Sequence, residues 1–133
     1  MTEAQKMAEA NLIVRREETA AMRSQAKTIS LEAESESVTE VFTGFGTKGV
    51  MAHKVPIPAI KDCRLYLASS AVVGKRLADQ LMIPIAMAGG GQYRTVPLTL
   101  HSRTNIDVIK QFMDIHIAVT EVGDCTIDVS IQR

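Results

Sequence analysis

The chain has 133 residues, of which 46% are apolar and 23% charged, and its 15 basic side chains balance its 15 acidic ones. This length and composition favour one folded domain, or part of one, over a disordered segment. The zero formal charge argues against a surface that broadly attracts nucleic acid or membranes, and the low aromatic content argues against a base-stacking platform.

The first third of the chain predicts one helix and two strands. Residues 3–17 are rich in alanine and have a broad apolar side, which predicts an amphipathic helix. Residues 28–35 and 38–44 alternate apolar and polar side chains, so we expect two strands joined by a hairpin turn. The glycine-rich stretch 44–49 lacks the spacing of a phosphate-binding loop and predicts a turn-rich connection.

The middle of the chain predicts two helices. Pro56 and Pro58 disfavour a helix start at their own positions, so the first helix is expected over residues 59–70. The second is expected over 75–83 and is followed by a small-residue turn.

The second helix carries a polar stripe opposite its apolar side. Arg76, Asp79 and Gln80 stand at positions i, i+3 and i+4, which places them on one face. The simplest interpretation is an exposed ion pair between Arg76 and Asp79. The same face could also contact a ligand.

His101 follows an extended, apolar segment and precedes another amphipathic helix. Thr104 can cap that helix, with Asp107 completing a capping box. The N–H groups of its first turn would favour an anion beside His101. An exposed imidazole in this position suits attack on a phosphate, although a surface or hydrogen-bonding role is the simpler alternative.

The C-terminal segment predicts a β-hairpin across Gly123-Asp124. Its second strand has one apolar face, formed by Cys125, Ile127, Val129 and Ile131. His116 lies in the first strand and is interpreted as structural, and His53 lies in a loop. The scattered histidines predict no metal site. Together these elements predict an α+β fold.

The two cysteines, Cys63 and Cys125, form no CxxC pair. Because no secretory signal pattern follows Met1, we expect a reducing, cytoplasmic compartment. The longest apolar run, residues 81–91, is interrupted by Pro84 and is too short to span a membrane, so no membrane partner is expected.

Several segments resemble the C-terminal part of the RNA 3′-terminal phosphate cyclase family, in its bacterial type. The resemblance covers about residues 28–133 and begins with TISLEAESESVTEVF. It continues through YLAS at 66–69, LADQL within 74–81, the AGGG turn and H-x-x-T-N-I at 101–106. Linked motifs at matched spacing are far more specific than any one of them alone.

The resemblance implies a domain organisation. Residues 1–68 would be the end of the family's inserted small domain. Residues 69–133 would be the last section of its catalytic core, a βαβ-type sheet-and-helix unit. Because family members are more than twice this length, we expect a C-terminal fragment that depends on an N-terminal companion segment or on a homo-oligomer.

The resemblance also implies a ligase chemistry that uses ATP and Mg²⁺. His101 would attack the α-phosphate of ATP and become adenylylated. AMP would pass to an RNA 3′-phosphate end, and the 2′-hydroxyl would displace it to give a 2′,3′-cyclic phosphate. The family's ATP contact corresponds to Arg76, Leu77, Ala78, Asp79 and Gln80.

Two features depart from the family pattern. Bacterial relatives usually have an aromatic residue at the position of Arg76, so the guanidinium would stack on adenine instead or contact phosphate. Pro56 and Pro58 fall where the family tends to continue a helix. Two other hypotheses remain: a non-catalytic cyclase-like protein of ribosome assembly, which the presence of His101 disfavours, and an inactive fragment that associates through sheet edges.

Overall fold

The computed structural model describes residues 11–18 and 27–133 of the chain. It contains two compact units, the first ending at Leu67 and the second comprising Ala68–Arg133. Each unit combines a sheet with helices, so the α+β prediction is confirmed. The assignment of the two parts to an inserted domain and a catalytic core stays a prediction.

The first unit is built on an antiparallel meander. Its strands are β1 (Asn11–Glu18), β2 (Lys27–Glu34) and β3 (Thr39–Phe45), in the order β1-β2-β3. The predicted β2–β3 hairpin is confirmed, and the backbone N–H of Ser35 donates to the Val38 carbonyl at 2.9 Å.

The helix predicted over 3–17 is wrong for residues 11–17, because β1 pairs with β2 along its whole length. Residues 3–10 lie outside the described part of the chain. Ile13 and Val14 are β-branched, and such side chains are better suited to strands than to helices.

A helix, α1 (Ile57–Ala68), follows a short 3₁₀ turn at Ala52–Lys54. It begins two residues before the predicted start and includes Pro58 in its first turn. Proline is tolerated there because first-turn N–H groups have no acceptor within the helix. The helix buries Ala59, Cys63 and Tyr66 rather than Ile60, which is exposed.

Tyr66 connects α1 to the sheet of the first unit. Its ring lies 5.6 Å, centroid to centroid, from that of Phe42 on β3. Burial raises the pKa of Tyr66 to about 12, and the nearby charge of Glu40 contributes in the same direction. The phenol therefore stays protonated throughout the neutral range.

The second unit contains two helices and a three-stranded sheet. Its elements are α2 (Lys75–Met87), β4 (Gly90–Thr95), α3 (Leu100–Phe112), β5 (His116–Gly123) and β6 (Thr126–Gln132). The strand order is β4-β6-β5, with β6 antiparallel to both neighbours. β4 and β5 are therefore parallel, and β4–α3–β5 is a βαβ connection with β6 inserted between its strands.

The core of the second unit lies between the helices and one face of this sheet. β6 alternates buried and partly exposed residues, as expected for a strand covered on one side. The cluster comprises Met82, Ala86, Leu98, Ile106, Ile109, Ile117, Ile127, Val129 and Ile131. It fixes α2 and α3 side by side on the sheet.

Two further sequence expectations need correction in this unit. Pro84 does not interrupt α2, which continues to Met87. The predicted C-terminal hairpin is confirmed, but Cys125 does not join its apolar face: it lies exposed in the turn with a φ of 57°. Within the described residues, no helix is both long and apolar enough to cross a membrane.

The AGGG turn contains one glycine that the fold requires for two reasons. Gly90 has a φ of 140°, and a Cβ at this position would lie 2.8 Å from the Ile131 carbonyl oxygen. We expect Gly90→Ala to destabilise the second unit by about 2–4 kcal/mol. The loss of stability would be measured by urea denaturation, monitored through the methyl NMR signals of that unit.

Gly91→Ala is the matched control for this prediction. A Cβ on Gly91 would meet only the end of the Ile85 side chain, at 2.9 Å. Since a side chain adjusts more easily than a backbone carbonyl, Gly91→Ala should lower the free energy of unfolding by about 1 kcal/mol or less. Equal losses of stability in the two variants would contradict the conclusion that the fold requires glycine at position 90.

A cross-strand ion pair between β4 and β6 predicts a pH dependence. Arg94 Nε and Nη2 donate to the two carboxylate oxygens of Asp128 at 2.7 and 2.8 Å. These hydrogen bonds hold the pKa of Asp128 below its ordinary value of 3.8. The stabilisation is therefore present above that value and is lost as the pH falls through the lower pKa of the folded state.

Asp128→Asn should lower the Tm slightly at about pH 6 and leave it unchanged at a pH below the folded-state pKa of Asp128, where that carboxyl is itself protonated. Thermal unfolding at the two pH values measures this convergence. Asp114→Asn, at an exposed carboxyl in the α3–β5 connection, is the control. A difference that persists at low pH would show that the pair is not its cause.

Candidate functional site

His101 is the second residue of α3, and α3 begins earlier than predicted. The cap is Thr99, whose Oγ1 accepts a hydrogen bond from the Ser102 N–H at 3.1 Å. Thr104 lies inside the helix, where its hydroxyl donates to the Leu100 carbonyl at 3.0 Å. The predicted cap at Thr104 with Asp107 is therefore wrong, and so is the placement of His101 at the end of an extended segment.

The imidazole of His101 is paired with a carboxylate on the neighbouring helix. Nδ1 of His101 lies 2.8 Å from Oδ2 of Asp79, in the second turn of α2. The histidine side chain is 79% exposed, whereas that of Asp79 is only 21% exposed. An ionised carboxylate can only accept, so Nδ1 carries the hydrogen, and the neutral form of the ring has its lone pair at Nε2.

Asp79 is held by a contact from α3, and the residue before it is held by a contact from β4. The Asn105 side-chain amide on α3 donates to Asp79 Oδ1 at 3.4 Å and to its carbonyl at 3.5 Å, both long hydrogen bonds. Beneath it, the Tyr93 hydroxyl donates to the Ala78 carbonyl at 2.8 Å. Burial raises the pKa of Tyr93 to about 12, with the Asp79 charge acting in the same direction, so the phenol remains a donor.

His101 and Asp79 border an open groove of about 370 Å³. Four of the predicted site residues line it: Arg76, Asp79, Gln80 and His101. Leu77 is half-buried and Ala78 is buried, and neither lines the groove, so their nucleotide contact stays a prediction. Two further lining residues, Lys75 and Thr99, were missed from the sequence.

The groove favours an anionic ligand. Lys75 and Arg76 supply two cationic side chains. The contact between Asp79 and both His101 and Asn105 shows that the N-terminal ends of α2 and α3 lie next to each other. First-turn N–H groups lack acceptors within their helices, and the helix dipoles add positive potential at the same end. A phosphate group would meet favourable charge here.

The simplest expectation for Asp79, an ion pair with Arg76, is replaced by the contact with His101. The other two histidines are exposed: His53 lies in the 3₁₀ turn and His116 begins β5. Both cysteines are free thiols. Among the described residues, no three His, Cys, Asp or Glu side chains are grouped closely enough to hold a metal ion.

Of the two lining residues that were missed, Thr99 had a signal in the sequence, because threonine is a common helix cap. Thr99 and Thr104 are both potential caps, and Asp107 made Thr104 look better because it completes a capping box. The helix instead begins where Ser102 and Ile106 can both be buried. Lys75, at the first helical position after Gly74, had no distinguishing signal.

Comparison with known proteins gives a consistent result. A family model described as "RNA 3'-terminal phosphate cyclase" matches residues 5–119. The chain is 42% identical over 97 residues to the RNA 3'-terminal phosphate cyclase of Koribacter versatilis (strain Ellin345), covering 73% of this chain and 27% of that protein. It is 39% identical over 103 residues to the protein of the same name from Ectopseudomonas mendocina (strain ymp), covering 77% and 30%. The chain spans less than a third of either relative.

Proposed function

The chain belongs to the RNA 3′-terminal phosphate cyclase family, and from that premise we propose that it supplies the nucleophilic histidine of an ATP-dependent cyclase. His101 is the nucleophile, and its target is the α-phosphorus of ATP. The observation that carries this proposal is the 2.8 Å contact between His101 Nδ1 and Asp79 Oδ2 at the edge of a cationic groove.

The contact with Asp79 prepares His101 for attack. With the hydrogen held on Nδ1, the lone pair of Nε2 forms the bond to the α-phosphorus, and the bond to the bridging oxygen of the β-phosphate breaks to release pyrophosphate. The ring gains positive charge as the N–P bond forms, and the Asp79 carboxylate stabilises that charge. Asp79 is thus a positioning residue that also provides electrostatic support.

The groove residues bind and orient the nucleotide. Lys75 and Arg76 attract the phosphates, and Gln80 and Thr99 offer neutral hydrogen-bonding groups beside them. In this proposal Arg76 contacts phosphate or stacks on adenine, in place of the aromatic residue of bacterial relatives. Leu77 and Ala78 support the nucleotide-binding segment from the interior side of α2.

Two transfers would follow adenylylation. The terminal phosphate of an RNA displaces the imidazole from AMP, which regenerates His101. The adjacent 2′-hydroxyl then displaces AMP and closes the 2′,3′-cyclic phosphodiester. Both transfers require a bound RNA 3′-phosphate end, and an N-terminal companion segment would contribute the remaining contacts.

Magnesium stays a prediction from the family resemblance. When bound, it would offset triphosphate charge. The groove offers one carboxylate, Asp79, which is already engaged by His101. The described residues therefore do not form a metal site by themselves, and we assign them no metal-dependent step.

The test uses a chimera in which this chain replaces the matched segment of the Koribacter versatilis relative. Incubated with α-labelled ATP and magnesium, the chimera should acquire acid-labile, covalently bound label, and with a 3′-phosphorylated RNA it should form a cyclic end. The isolated chain should acquire far less label. A chimera that is never labelled would contradict the proposal, and full labelling of the isolated chain would contradict its dependence on a companion segment.

A further inference from the structure

The first unit separates its acidic and basic residues. Between residues 28 and 40 every charged side chain is acidic, and these four glutamates flank or occupy the β2–β3 hairpin turn. Between residues 48 and 64 the charge reverses, because Asp62 is the one acidic residue beside five basic ones: Lys48, His53, Lys54, Lys61 and Arg64. The zero formal charge of the whole chain therefore conceals a basic segment.

Four of these residues form a surface that we call the basic surface: His53, Lys54, Lys61 and Arg64. The first two lie in the 3₁₀ turn and the others on α1, and all four are exposed. The buried residues of α1 are Ala59, Cys63 and Tyr66. At 3.6 residues per turn, Lys61 and Arg64 project from the opposite side of the helix. Because the 3₁₀ turn leads directly into α1, the basic surface extends over about 15 Å.

The fold holds the basic surface in place. A Cβ on Gly44 would overlap the Val55 carbonyl oxygen, so the end of the 3₁₀ turn packs directly on β3. Val55 is buried, and α1 begins two residues later at Ile57. Glu40 lies four residues before Gly44 along β3, about 13 Å away, and marks the acidic end of the strand. The two ends of β3 therefore differ in charge, and the basic surface starts at the end beside Gly44.

Exposed apolar side chains lie beside these cations. Ile57 is 54% and Ile60 is 37% exposed, and Ile57 follows Lys54 by three residues and precedes Lys61 by four. Those intervals place Ile57 between the two lysines on one side. A single RNA strand has the matching components, which are charged phosphates and the apolar faces of unstacked bases. The composition of the surface is therefore complementary to single-stranded RNA.

We propose that the basic surface binds single-stranded RNA and thereby recruits the strand whose 3′ end is modified. This inference rests on the proposed function, which makes an RNA 3′-phosphate end the substrate, and it adds a contact away from the reacting phosphate. Each phosphate that a lysine or arginine neutralises releases counterions, so the affinity from this contact falls as the salt concentration rises. The basic surface adds no group to the transfer of AMP, so it acts on RNA binding and not on the rate of the chemistry.

Fluorescence anisotropy with the 133-residue chain tests the binding directly. The probe is a labelled, unstructured RNA of about 15 nucleotides with a 3′-phosphate, titrated at several salt concentrations. Lys61→Gln combined with Arg64→Gln should weaken binding by about tenfold and reduce the slope of log K against log salt by about 1.4, since each cation contributes about 0.7 on a single strand. Lys110→Gln combined with Arg133→Gln removes two exposed cations of the second unit. This matched control should change the affinity by less than about twofold.

RNA length separates this contact from the reacting end. In the chimera, the Lys61→Gln, Arg64→Gln variant should raise the KM for the same RNA by about tenfold and change the KM for a dinucleotide 3′-phosphate by less than about twofold. Labelling by α-labelled ATP should stay at the level of the unsubstituted chimera, because adenylylation of His101 uses no RNA. A chimera that is never labelled would contradict the proposed function, while anisotropy on the chain would still decide the RNA contact.

Three results would overturn the proposal. The first is RNA binding that is absent, or that the control weakens as much as the Lys61→Gln, Arg64→Gln variant does. The second is an equal rise of the KM for the dinucleotide, which would place the contact at the reacting end. The third is displacement of the RNA by poly-glutamate as readily as by unlabelled RNA, which would make an acidic protein the partner. Circular dichroism verifies that these exposed substitutions leave the fold intact.

Discussion

Replacing His101 by alanine in the chimera should reduce covalent labelling by α-labelled ATP by at least about 10³-fold, because the variant has no atom to form the N–P bond. The side chain is 79% exposed and contacts the Asp79 carboxylate at the surface, so its removal should leave the fold intact. The measurement is label retained on denatured protein after single-turnover incubation, with circular dichroism to verify folding.

His116→Ala is the matched control, since it removes an exposed imidazole from the same unit at the start of β5. It should keep the full labelling of the unsubstituted chimera. Labelling that survives in His101→Ala, or that disappears equally in His116→Ala, would mean that another group is the nucleophile. Phosphoramidate linkages are acid-labile, so the stability of the labelled product gives an independent check on its chemistry.

Asp79→Asn should lower the rate of labelling by up to about 10⁴-fold, the loss seen when the carboxylate that orients a catalytic histidine becomes an amide. An amide can donate to Nδ1, which would move the ring hydrogen to Nε2 and remove the lone pair from the reacting position. The amide also carries no charge to stabilise the cationic ring that develops during attack. We expect the substitution to change the rate at saturating ATP more than it changes the KM for ATP.

The tautomer of His101 distinguishes positioning from a purely structural role. Imidazole ¹⁵N chemical shifts of the isolated chain should show hydrogen on Nδ1 in the unsubstituted protein and a shift towards Nε2–H in Asp79→Asn. Asp107→Asn, at an exposed carboxyl on α3, should change neither the tautomer nor the rate. An unchanged tautomer in Asp79→Asn would remove the basis for the assigned role.

The elements that the sequence predicted well are those whose pattern has one dominant period. β2, β3 and the C-terminal hairpin alternate with period two, and each was placed within about two residues. The sequence did not predict β1 because its apolar pattern fits one side of a helix as well as a strand. Pairing with β2 decided the outcome. Pro84 does not end α2, since the buried residues on either side, Met82 and Ala86, hold the helix together across it.

The sequence by itself determined which residues could form the site: an exposed histidine near a helix start, a polar stripe on the preceding helix, and segments that resemble one enzyme family. The tertiary structure alone decided that Asp79 faces His101 instead of Arg76, and that Thr99 begins α3. A local pattern encodes which side of each helix is apolar, and so which side is buried. The rotation and alignment of two helices depend on how their buried residues fit together, here around Met82, Ile106 and the β6 side chains, and no single segment carries that information.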